Sequence, residues 1–452
     1  MTEERKKEYL IYKLADTMRG HTKMDPALFT KLDVKRGLRN EDGTGVLVGL
    51  TNIGNVVGYE RIGNEIVPCE GKLFFRGYDV SDLVHAILDE KRFGFEEVAY
   101  LLLSGELPDA EALKEFSSLI YDNMFLEKNT LLHIIVMEGH DIMNILSRSV
   151  LEMYTFDDNP DDLSKENLMR QSIELISKFP TIIAYAFNML RRKEFGRSLH
   201  IRDARPDLSI AGNFLHMLKG PDNYSELDVR TLDLLMILHC EHGGGNNSTF
   251  TVRVTSSTGT DTYSSIAAGI GSLKGPKHGG ANIKVSDMIA WIKANIGNWN
   301  DEDAIRRVLR EILRKEGFDK SGLIYGIGHA VYTKSDPRTV LLKEMASKLS
   351  AEKGRTAEFD LLERIERLAI EEFRSAKGDG KTVCANVDFY SGFVYELIGI
   401  PREIYTPLFA MARIVGWCAH RNEELNFEGR RIIRPAYRCI TDENEYVKLS
   451  RR

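Results

Sequence analysis

The stretch NDEDAIRRVLREILRKEG, residues 300–317, has the pattern of an amphipathic helix. Its apolar residues recur at intervals of three and four, which places them on one helical face. Acidic residues begin the stretch and basic residues end it, and both suit the helix dipole. Asn300 is a candidate N-cap and Gly317 a candidate left-handed C-terminal cap. The stretch therefore predicts a helix. The same periodicity recurs over 95–104, 109–124, 163–178, 228–240 and 355–376.

Helical signals dominate the rest of the chain. The run 401–420 is unusually apolar and predicts a helix that is buried on most sides or packed against a partner chain. β-Branched residues with Gly and Asn turns concentrate at 44–76. A Gly-containing turn is expected at 376–382. The sequence thus predicts a mainly α-helical fold with a few short strands near the N-terminus.

Composition excludes several classes of protein. The chain has 452 residues, 43% of them hydrophobic, and a net charge of −6, so neither a disordered tail nor a nucleic-acid coat is expected. Five scattered cysteines without a CxxC pair predict reduced thiols. No signal-peptide pattern and no apolar run long enough to span a membrane is visible, so we expect a cytoplasmic protein. The 37 glycines against 12 prolines suit a helical chain that uses Gly at particular places.

The segment LHCEHGGGNNST, residues 238–249, is the first of four that combine Gly with chemically active side chains. His239 and His242 are three residues apart and share a helix face until Gly243–Gly245 end the helix. A zinc site of His239, Cys240 and His242 is an alternative, although neither HExxH nor CxxC is present. A structural histidine at a helix end is the other alternative.

Two further segments each carry one histidine. In GSLKGPKHGGANI, residues 271–283, His278 follows a Pro and precedes a Gly pair. A neutral imidazole near a helix N-terminus can donate a hydrogen bond to developing negative charge, while the other interpretation is an ordinary Gly-rich turn. In YGIGHAVYTKSDPR, residues 325–338, the dinucleotide pattern GxGxxG is incomplete and lacks a βαβ context. We interpret it as a loop that shapes His329, followed by a turn that aims Arg338.

The fourth segment, NVDFYSG, contains Asp388 between Val387 and Phe389. A carboxyl in apolar company has a raised pKa and is a usable base, or it is a buried Asp that caps a helix or pairs with an Arg. Arg413 and Arg434 follow, and a buried Arg needs an anionic partner. Together these residues favour acid–base carbon chemistry on a polyanionic small molecule, in which a carbon-bound proton is removed and an enolate-like oxygen is stabilised.

These motifs resemble those of the citrate synthase family over nearly the whole chain. The resemblance runs in order through KLFFRGYDVSDL, FEEVAYLLLSGELP, LHCEHGGGNNST, SIAAGIGSLKGPKHGGAN, GIGHAVYTKSDPR, NVDFYSGFVYELIGIP and LFAMARIVGWCAH. It departs at Cys240 and Glu241, where relatives usually carry Ala or Ser and then Asp. It departs also at Ala330, where many bacterial relatives carry Arg.

The resemblance implies three catalytic residues. His278 would bond the thioester oxygen of acetyl-CoA, Asp388 would take its methyl proton, and His329 would polarise the ketone of oxaloacetate. It also implies oxaloacetate ligands and contacts with coenzyme A. The implied oxaloacetate ligands are His242, Arg338, Arg413 and Arg434, and the softer candidates for coenzyme A are Lys274, Gly326, Gly328 and Lys334.

The resemblance further implies two helical domains, a large one of 1–280 and 393–452 and a small one of 281–392 inserted into it. The expected assembly is a homodimer in which Arg434 serves the neighbouring site, with no metal, nucleic acid or membrane partner. The expected activity is citrate synthesis. 2-Methylcitrate synthesis from propionyl-CoA and a helical binding module that lost activity are the alternatives. The charged N-terminal 40 residues are expected to be a solvated arm, with a regulatory or dimer-wrapping segment as the other interpretation.

Overall fold

The computed structural model describes residues 2–63, 65–136, 139–377 and 382–452. The chain forms two compact units, Met1–Leu50 and Thr51–Arg452. The first unit contains the helices α1 (Glu3–His21) and α2 (Ala27–Lys31), neither of which has a buried residue. The second unit contains the small sheet and every residue of the predicted site.

The sheet of the second unit has three antiparallel strands in chain order. They are β1 (Gly54–Ile62), β2 (Glu65–Phe75) and the short β3 (Tyr78–Asp79). β1 and β2 pair with Val56 opposite Leu73, and the register shifts between Val57 and Tyr59. The prediction of a few short strands near the N-terminus is confirmed.

The rest of the second unit is mainly helical. The helices that follow the sheet are α3 (Val80–Asp89), α4 (Phe95–Ser104), α5 (Ala110–Asp122), α6 (Lys128–Val136), α7 (Ile142–Phe156), α8 (Lys165–Phe195), α9 (Ile210–Lys219) and α10 (Glu226–Cys240). After them come α11 (Asn247–Ser256), α12 (Thr262–Lys274), α13 (Ala281–Asn295), α14 (Glu302–Leu313), α15 (Pro337–Glu352), α16 (Thr356–Lys377), α17 (Asp388–Ile398) and α18 (Tyr405–Asn426). Short 3₁₀ turns lie at Arg36–Leu38, Arg402–Ile404 and Leu449–Arg451. Of the turn predicted at 376–382, residues 378–381 lie outside the described ones.

The helix predicted from 300–317 is α14, and its ends differ from the prediction. Asp301, not Asn300, is the N-cap, and its side chain accepts the amide of Ala304 at 3.0 Å. The left-handed residue after the helix is Lys315, with φ 66°, and not Gly317. Gly317 has another reason to be glycine, because a Cβ there would lie 2.7 Å from the Trp291 ring.

Helix α8 extends far beyond the predicted 163–178. It runs through Pro180 to Phe195, although a Pro usually ends a helix. The residues around Pro180 are buried continuously from Leu175 to Asn188. Packing on all sides therefore outweighs the local penalty of the Pro, and the helix continues beyond the predicted stretch.

The core centres on α10 and α18, which pack against each other. All residues of α18 from Tyr405 to Arg421 are buried within this chain. The prediction of a helix buried on most sides is thus confirmed, and the apolar character of this helix is explained by the chain's own core. These two helices carry much of the candidate site.

Candidate active site

Three of the predicted residues contact the aromatic ring of Tyr332. His329 stacks on it with ring centroids 4.6 Å apart, and His242 meets it edge-on at 5.5 Å. The guanidinium carbon of Arg338 lies 5.7 Å from the ring centroid. Arg338 also donates two hydrogen bonds to Asp336, at 2.7 and 3.0 Å. We call His242, His329, Tyr332 and Arg338 the Tyr332 group.

The backbone fixes the tautomer of His329. Its Nδ1 accepts the amides of Val331 at 3.1 Å and of Tyr332 at 3.0 Å. A ring nitrogen that accepts hydrogen bonds carries no proton, so in the neutral ring the proton is on Nε2. His329 therefore presents an Nε2–H donor. His242 is also neutral, because burial and then the Arg338 charge hold its pKa well below the usual range.

A second set of residues contacts the ring of Phe409. His239 meets it at 4.6 Å and His278 at 6.4 Å between ring centroids. The guanidinium carbon of Arg413 lies 4.8 Å from the ring centroid. Phe409 and Arg413 are one helical turn apart on α18, so both face the end of α10. We call His239, His278, Phe409 and Arg413 the Phe409 group.

Arg413 is a buried cation with spare donors. Its Nε donates to the carbonyl oxygen of His239 at 2.7 Å. Its Nη1 and Nη2 are buried and have no hydrogen-bond partner among the described residues. Burial lowers the pKa of Arg413 to about 10, so it remains charged at neutral pH. Two parallel N–H donors on a buried charge fit a carboxylate ligand.

His278 lies between α12 and α13 and is held from one side. Its Nε2 is 3.0 Å from the hydroxyl of Ser248, which also accepts the indole N–H of Trp417 at 3.2 Å. Burial and then the Arg413 charge lower the pKa of His278 to about 4. The ring is therefore neutral at physiological pH.

Asp388 begins helix α17, and its backbone amide bonds the side chain of Asn386 at 3.0 Å. Burial raises the pKa of Asp388 to about 6, while the charges of Arg338 and Arg413 pull it down. The carboxyl thus lies within electrostatic range of one arginine from each group. A carboxyl with this pKa is ionised at pH 7 and is a stronger base than an exposed Asp.

The loop before His329 is tied to the segment before Asp388. The amide of Gly328 donates to Cys384 at 2.8 Å, and that of Asn386 donates to Gly326 at 2.8 Å. Both glycines have positive φ, and a Cβ on Gly326 would lie 2.9 Å from the Phe389 ring. The interpretation of this loop as one that shapes His329 is supported by these bonds, which hold it against the segment of the candidate base.

Three predicted residues are exposed. Lys274 lies 3.7 Å from Asp141, and Lys334 and Arg434 are on the surface. In the described part of the chain, no ring contact or hydrogen bond brings them into the Tyr332 or Phe409 group. Sequence reasoning also missed the two rings themselves. Tyr332 was visible inside the GIGHAVY motif, and Phe409 one turn before Arg413.

The arrangement suits chemistry in which an anionic substrate is bound and a carbon-bound proton is removed. It offers two arginines, neutral imidazoles and one carboxyl base within a water-poor interior. Among the described residues, no group of three or more His, Cys, Asp or Glu is arranged to hold a metal ion. The zinc alternative for His239, Cys240 and His242 therefore finds no support in these residues.

Comparisons with known proteins identify the family of this chain. The sequence model described as "Citrate synthase, C-terminal domain" matches residues 42–436. The chain is 34% identical over 392 residues to the citrate synthase of Corynebacterium glutamicum, which covers 84% of this chain and 82% of that protein. It is 33% identical over 399 residues to 2-methylcitrate synthase 1 of the same organism, covering 86% of this chain and 94% of that protein.

A solved structure gives the same result. The fold is similar, with a TM-score of 0.73 and 25% identity, to citrate synthase of the archaeon Thermoplasma acidophilum in a ternary complex with carboxymethyl coenzyme A and oxaloacetate. That match covers 92% of this chain and 99% of that one. The chain therefore belongs to the citrate synthase family. The predicted family, the mainly helical fold and the acyltransferase class of enzyme are confirmed.

Proposed function

We propose that the site around Tyr332 and Phe409 condenses acetyl-CoA with oxaloacetate and water to give citrate and free CoA. The observation that carries this proposal is the buried Arg413 guanidinium, whose two outer nitrogens have no partner among the described residues. A buried charge of this kind calls for an anionic ligand. Oxaloacetate has two carboxylates, and Arg338 offers the second positive charge.

Oxaloacetate would bind between the two groups. Arg413 and Arg338 would hold its carboxylates, and the unpartnered Nε2 of His242 would bond an oxygen. The Nε2–H of His329 would donate to the ketone oxygen, which makes the ketone carbon more electrophilic.

Acetyl-CoA would react beside Asp388. The carboxylate takes a proton from the methyl carbon, and the C–H electrons form the enolate of the thioester. Neutral His278 would donate a ring N–H to the enolate oxygen. The enolate carbon then attacks the ketone carbon, and the ketone oxygen takes up a proton in exchange for the one bound by Asp388 and becomes a hydroxyl. Water hydrolyses the thioester to release CoA.

The domain arrangement and coenzyme A contacts belong to the same proposal. A large domain of 1–280 and 393–452 and a small domain of 281–392 would meet near His278 and Asp388, and closure would exclude water. Coenzyme A would contact the Gly326–Gly328 loop, with Lys274 and Lys334 supplying charge for its phosphates.

A homodimer would complete the site, with exposed Arg434 reaching the neighbouring protomer. A monomeric mass in solution together with full activity would contradict this. No helix among the described residues is long and apolar enough to cross a membrane. All five cysteines are free thiols, which supports a reducing compartment such as the cytoplasm. We expect the reaction to need no metal ion.

2-Methylcitrate synthesis is the second candidate, since the 2-methylcitrate synthase named above is nearly as similar to this chain. One methylene in a pocket changes specificity by only about 1–3 kcal/mol. The test is CoA release from acetyl-CoA and from propionyl-CoA, each with and without oxaloacetate. We expect oxaloacetate-dependent release with a higher kcat/KM for acetyl-CoA. A higher value for propionyl-CoA would favour the second candidate, and no dependence on oxaloacetate would refute both.

A further inference from the structure

A buried carboxylate lies directly beside His242 and has no role in the proposed chemistry. Glu241 follows the last residue of α10 and is fully buried. Two glycines leave room for it. A Cβ on Gly54 would lie 2.6 Å from its Oε1, and one on Gly416 would lie 2.5 Å from its Oε2. The carboxylate thus fills a close-fitting slot between β1 and α18.

The carboxylate closes the turn that carries His242. Its Oε1 accepts the backbone amide of Gly243 and the Nε2–H of His420 at 2.9 Å. Gly243 has a φ of 80°, a left-handed conformation that lets the chain reverse at once after the helix. The bond to Gly243 therefore ties the residue before His242 to the residue after it.

The neighbours of His420 show which way its bond to Glu241 runs. Nη1 of Arg253 lies 3.2 Å from Nδ1 of His420, and an arginine can only donate there. Nδ1 is therefore the unprotonated nitrogen, and Nε2 donates to Glu241. Arg253 itself pairs with Glu423 at 3.1 Å and with Glu424 at 2.8 Å. A chain of hydrogen bonds thus runs from α18 and α11 to the His242 turn.

Glu241 is ionised in this setting. Burial by itself raises the pKa of its carboxyl, but the contacts with His420, the nearby Arg413 charge and the Gly243 amide outweigh burial and lower it. Hydrogen bonds to an ionised acceptor are about twice as strong as neutral ones. The turn is therefore held by strong bonds rather than by packing alone.

We propose that Glu241 is a positioning residue for oxaloacetate, which holds the His242 imidazole in place through its bonds to Gly243 and His420. This rests on the proposed function, in which His242 binds oxaloacetate. The effect is directed at one substrate, since the turn carries His242 and neither His278 nor Asp388. Loss of the carboxylate should weaken oxaloacetate binding and leave acetyl-CoA binding nearly unchanged.

The test compares Glu241→Gln and Glu241→Ala with a matched control, Glu372→Gln. Glu372 is also a buried carboxylate and accepts bonds from Arg310 at 2.7 and 2.9 Å, but it lies on α16, away from both groups. The readouts are the KM values for oxaloacetate and acetyl-CoA, kcat and the melting temperature.

Glu241→Gln keeps one acceptor oxygen but loses the charge. We expect KM for oxaloacetate to rise about 3- to 10-fold, because a hydrogen bond to a neutral acceptor is about half as strong as one to an ionised acceptor. Glu241→Ala should raise it about 30-fold or more, as for a buried donor left unpaired. KM for acetyl-CoA should stay within about twofold in both. Glu372→Gln should lower the melting temperature and leave both KM values unchanged.

A merely structural role would lower the melting temperature of Glu241→Gln without separating the two KM values, and that result would overturn the proposal. Glu241→Gln is nearly isosteric and keeps the test valid even if the Ala variant does not fold. Titration calorimetry with oxaloacetate alone gives a second readout. Equal dissociation constants for the original chain and Glu241→Gln would overturn the role of Glu241, whereas a failure of the proposed function would appear as absent turnover in the original chain.

Discussion

The Tyr332 group and the Phe409 group each place an arginine and two histidines around one ring, but the two arginines differ in how their positive charge is paired. In the Tyr332 group, Arg338 is already paired with Asp336 through two hydrogen bonds. In the Phe409 group, Arg413 has only the carbonyl of His239 and keeps two donors unpaired among the described residues. In the first group the arginine charge is balanced without a ligand, although Nε2 of His242 has no partner among the described residues. In the second group the arginine charge is balanced only when a ligand binds.

The two groups also differ in how the chain builds them. Most of the Tyr332 group comes from the ten residues 329–338, and the hairpin of β1 and β2 supports this segment. Ser335 accepts the amide of Gly71 at 3.0 Å, and Thr333 donates to the carbonyl of Gly58. The Phe409 group joins α10, the loop at His278 and α18, so only the packed core brings it together. The Tyr332 group is therefore preformed by local contacts, whereas the Phe409 group depends on the packed core.

The largest expected effect belongs to Asp388, the carboxyl within range of the arginines of both groups. Asp388→Ala should lower kcat about 10³-fold or more, as for loss of a general base. Oxaloacetate affinity should change little, because the two arginines remain. CoA release and titration calorimetry measure the two quantities. Near-normal turnover in this variant would contradict the assignment of the base.

The next effect separates the two arginines. Arg338→Gln and Arg413→Gln should both raise KM for oxaloacetate about 100-fold, as for loss of a buried charged hydrogen-bond partner. Their free energies of unfolding should differ. Arg338→Gln leaves Asp336 buried and unpaired and should cost about 3–5 kcal/mol, whereas Arg413→Gln removes a buried unpaired charge and should cost far less.

Urea denaturation of the two variants without ligand measures this difference. Oxaloacetate should then stabilise the original chain and fail to stabilise Arg413→Gln. Equal unfolding free energies for the two variants would contradict the distinction between a complete and an incomplete group.

The helices and the chemistry-bearing segments could be predicted from the sequence, because they depend on local signals. Apolar periodicity predicted α14, and residues 95–104 coincide with α4. The segments around His278, His329 and Asp388 were recognisable by their glycines. Two of these, Gly326 and Gly328, have a positive φ, which favours glycine. Local signals failed at Pro180, where burial on all sides carries the helix through a residue that usually ends one.

The contacts around the Tyr332 and Phe409 rings could not be predicted from the sequence, for a physical reason. Phe409 is one apolar residue in an apolar helix, and its contacts with His239 and His278 span more than a hundred residues. Glu241 was visible only as an unusual residue before His242, since its partner His420 lies 179 positions away. Such placements follow from tertiary packing, which periodicity does not encode.

The dependence of kcat/KM on pH is a smaller, graded effect. It tests Asp388, whose pKa is raised by burial and lowered in part by the arginine of each group. The pKa of Asp388 is raised to about 6, so its basic form is lost as the pH falls through 6. We expect kcat/KM to be level above about pH 7 and to fall about tenfold per pH unit well below 6. His278, with a pKa of about 4, stays neutral across this range.

This loss of activity should not come from unfolding through Asp388. A folded-state pKa above the unfolded one means that the folded chain binds the proton more tightly, so protonation of this group stabilises the fold. That contribution is present at low pH and is lost as the pH rises through 6. Circular dichroism at pH 5 is the control, and an unchanged kcat/KM from pH 7 to 5 would contradict the raised pKa.

The smallest effect tests the ring at the centre of the preformed group. The hydroxyl of Tyr332 is buried and has no hydrogen-bond partner among the described residues. Tyr332→Phe removes this unsatisfied group and should change kcat/KM by no more than about twofold, with no loss of stability. Tyr332→Leu also removes the stack on His329 and the face toward Arg338. Since such contacts contribute about 0.5–1.5 kcal/mol each, kcat/KM should fall about 10-fold. If Phe proved as harmful as Leu, the hydroxyl and not the ring would organise the Tyr332 group, which would then depend on a bond to the substrate just as Arg413 does.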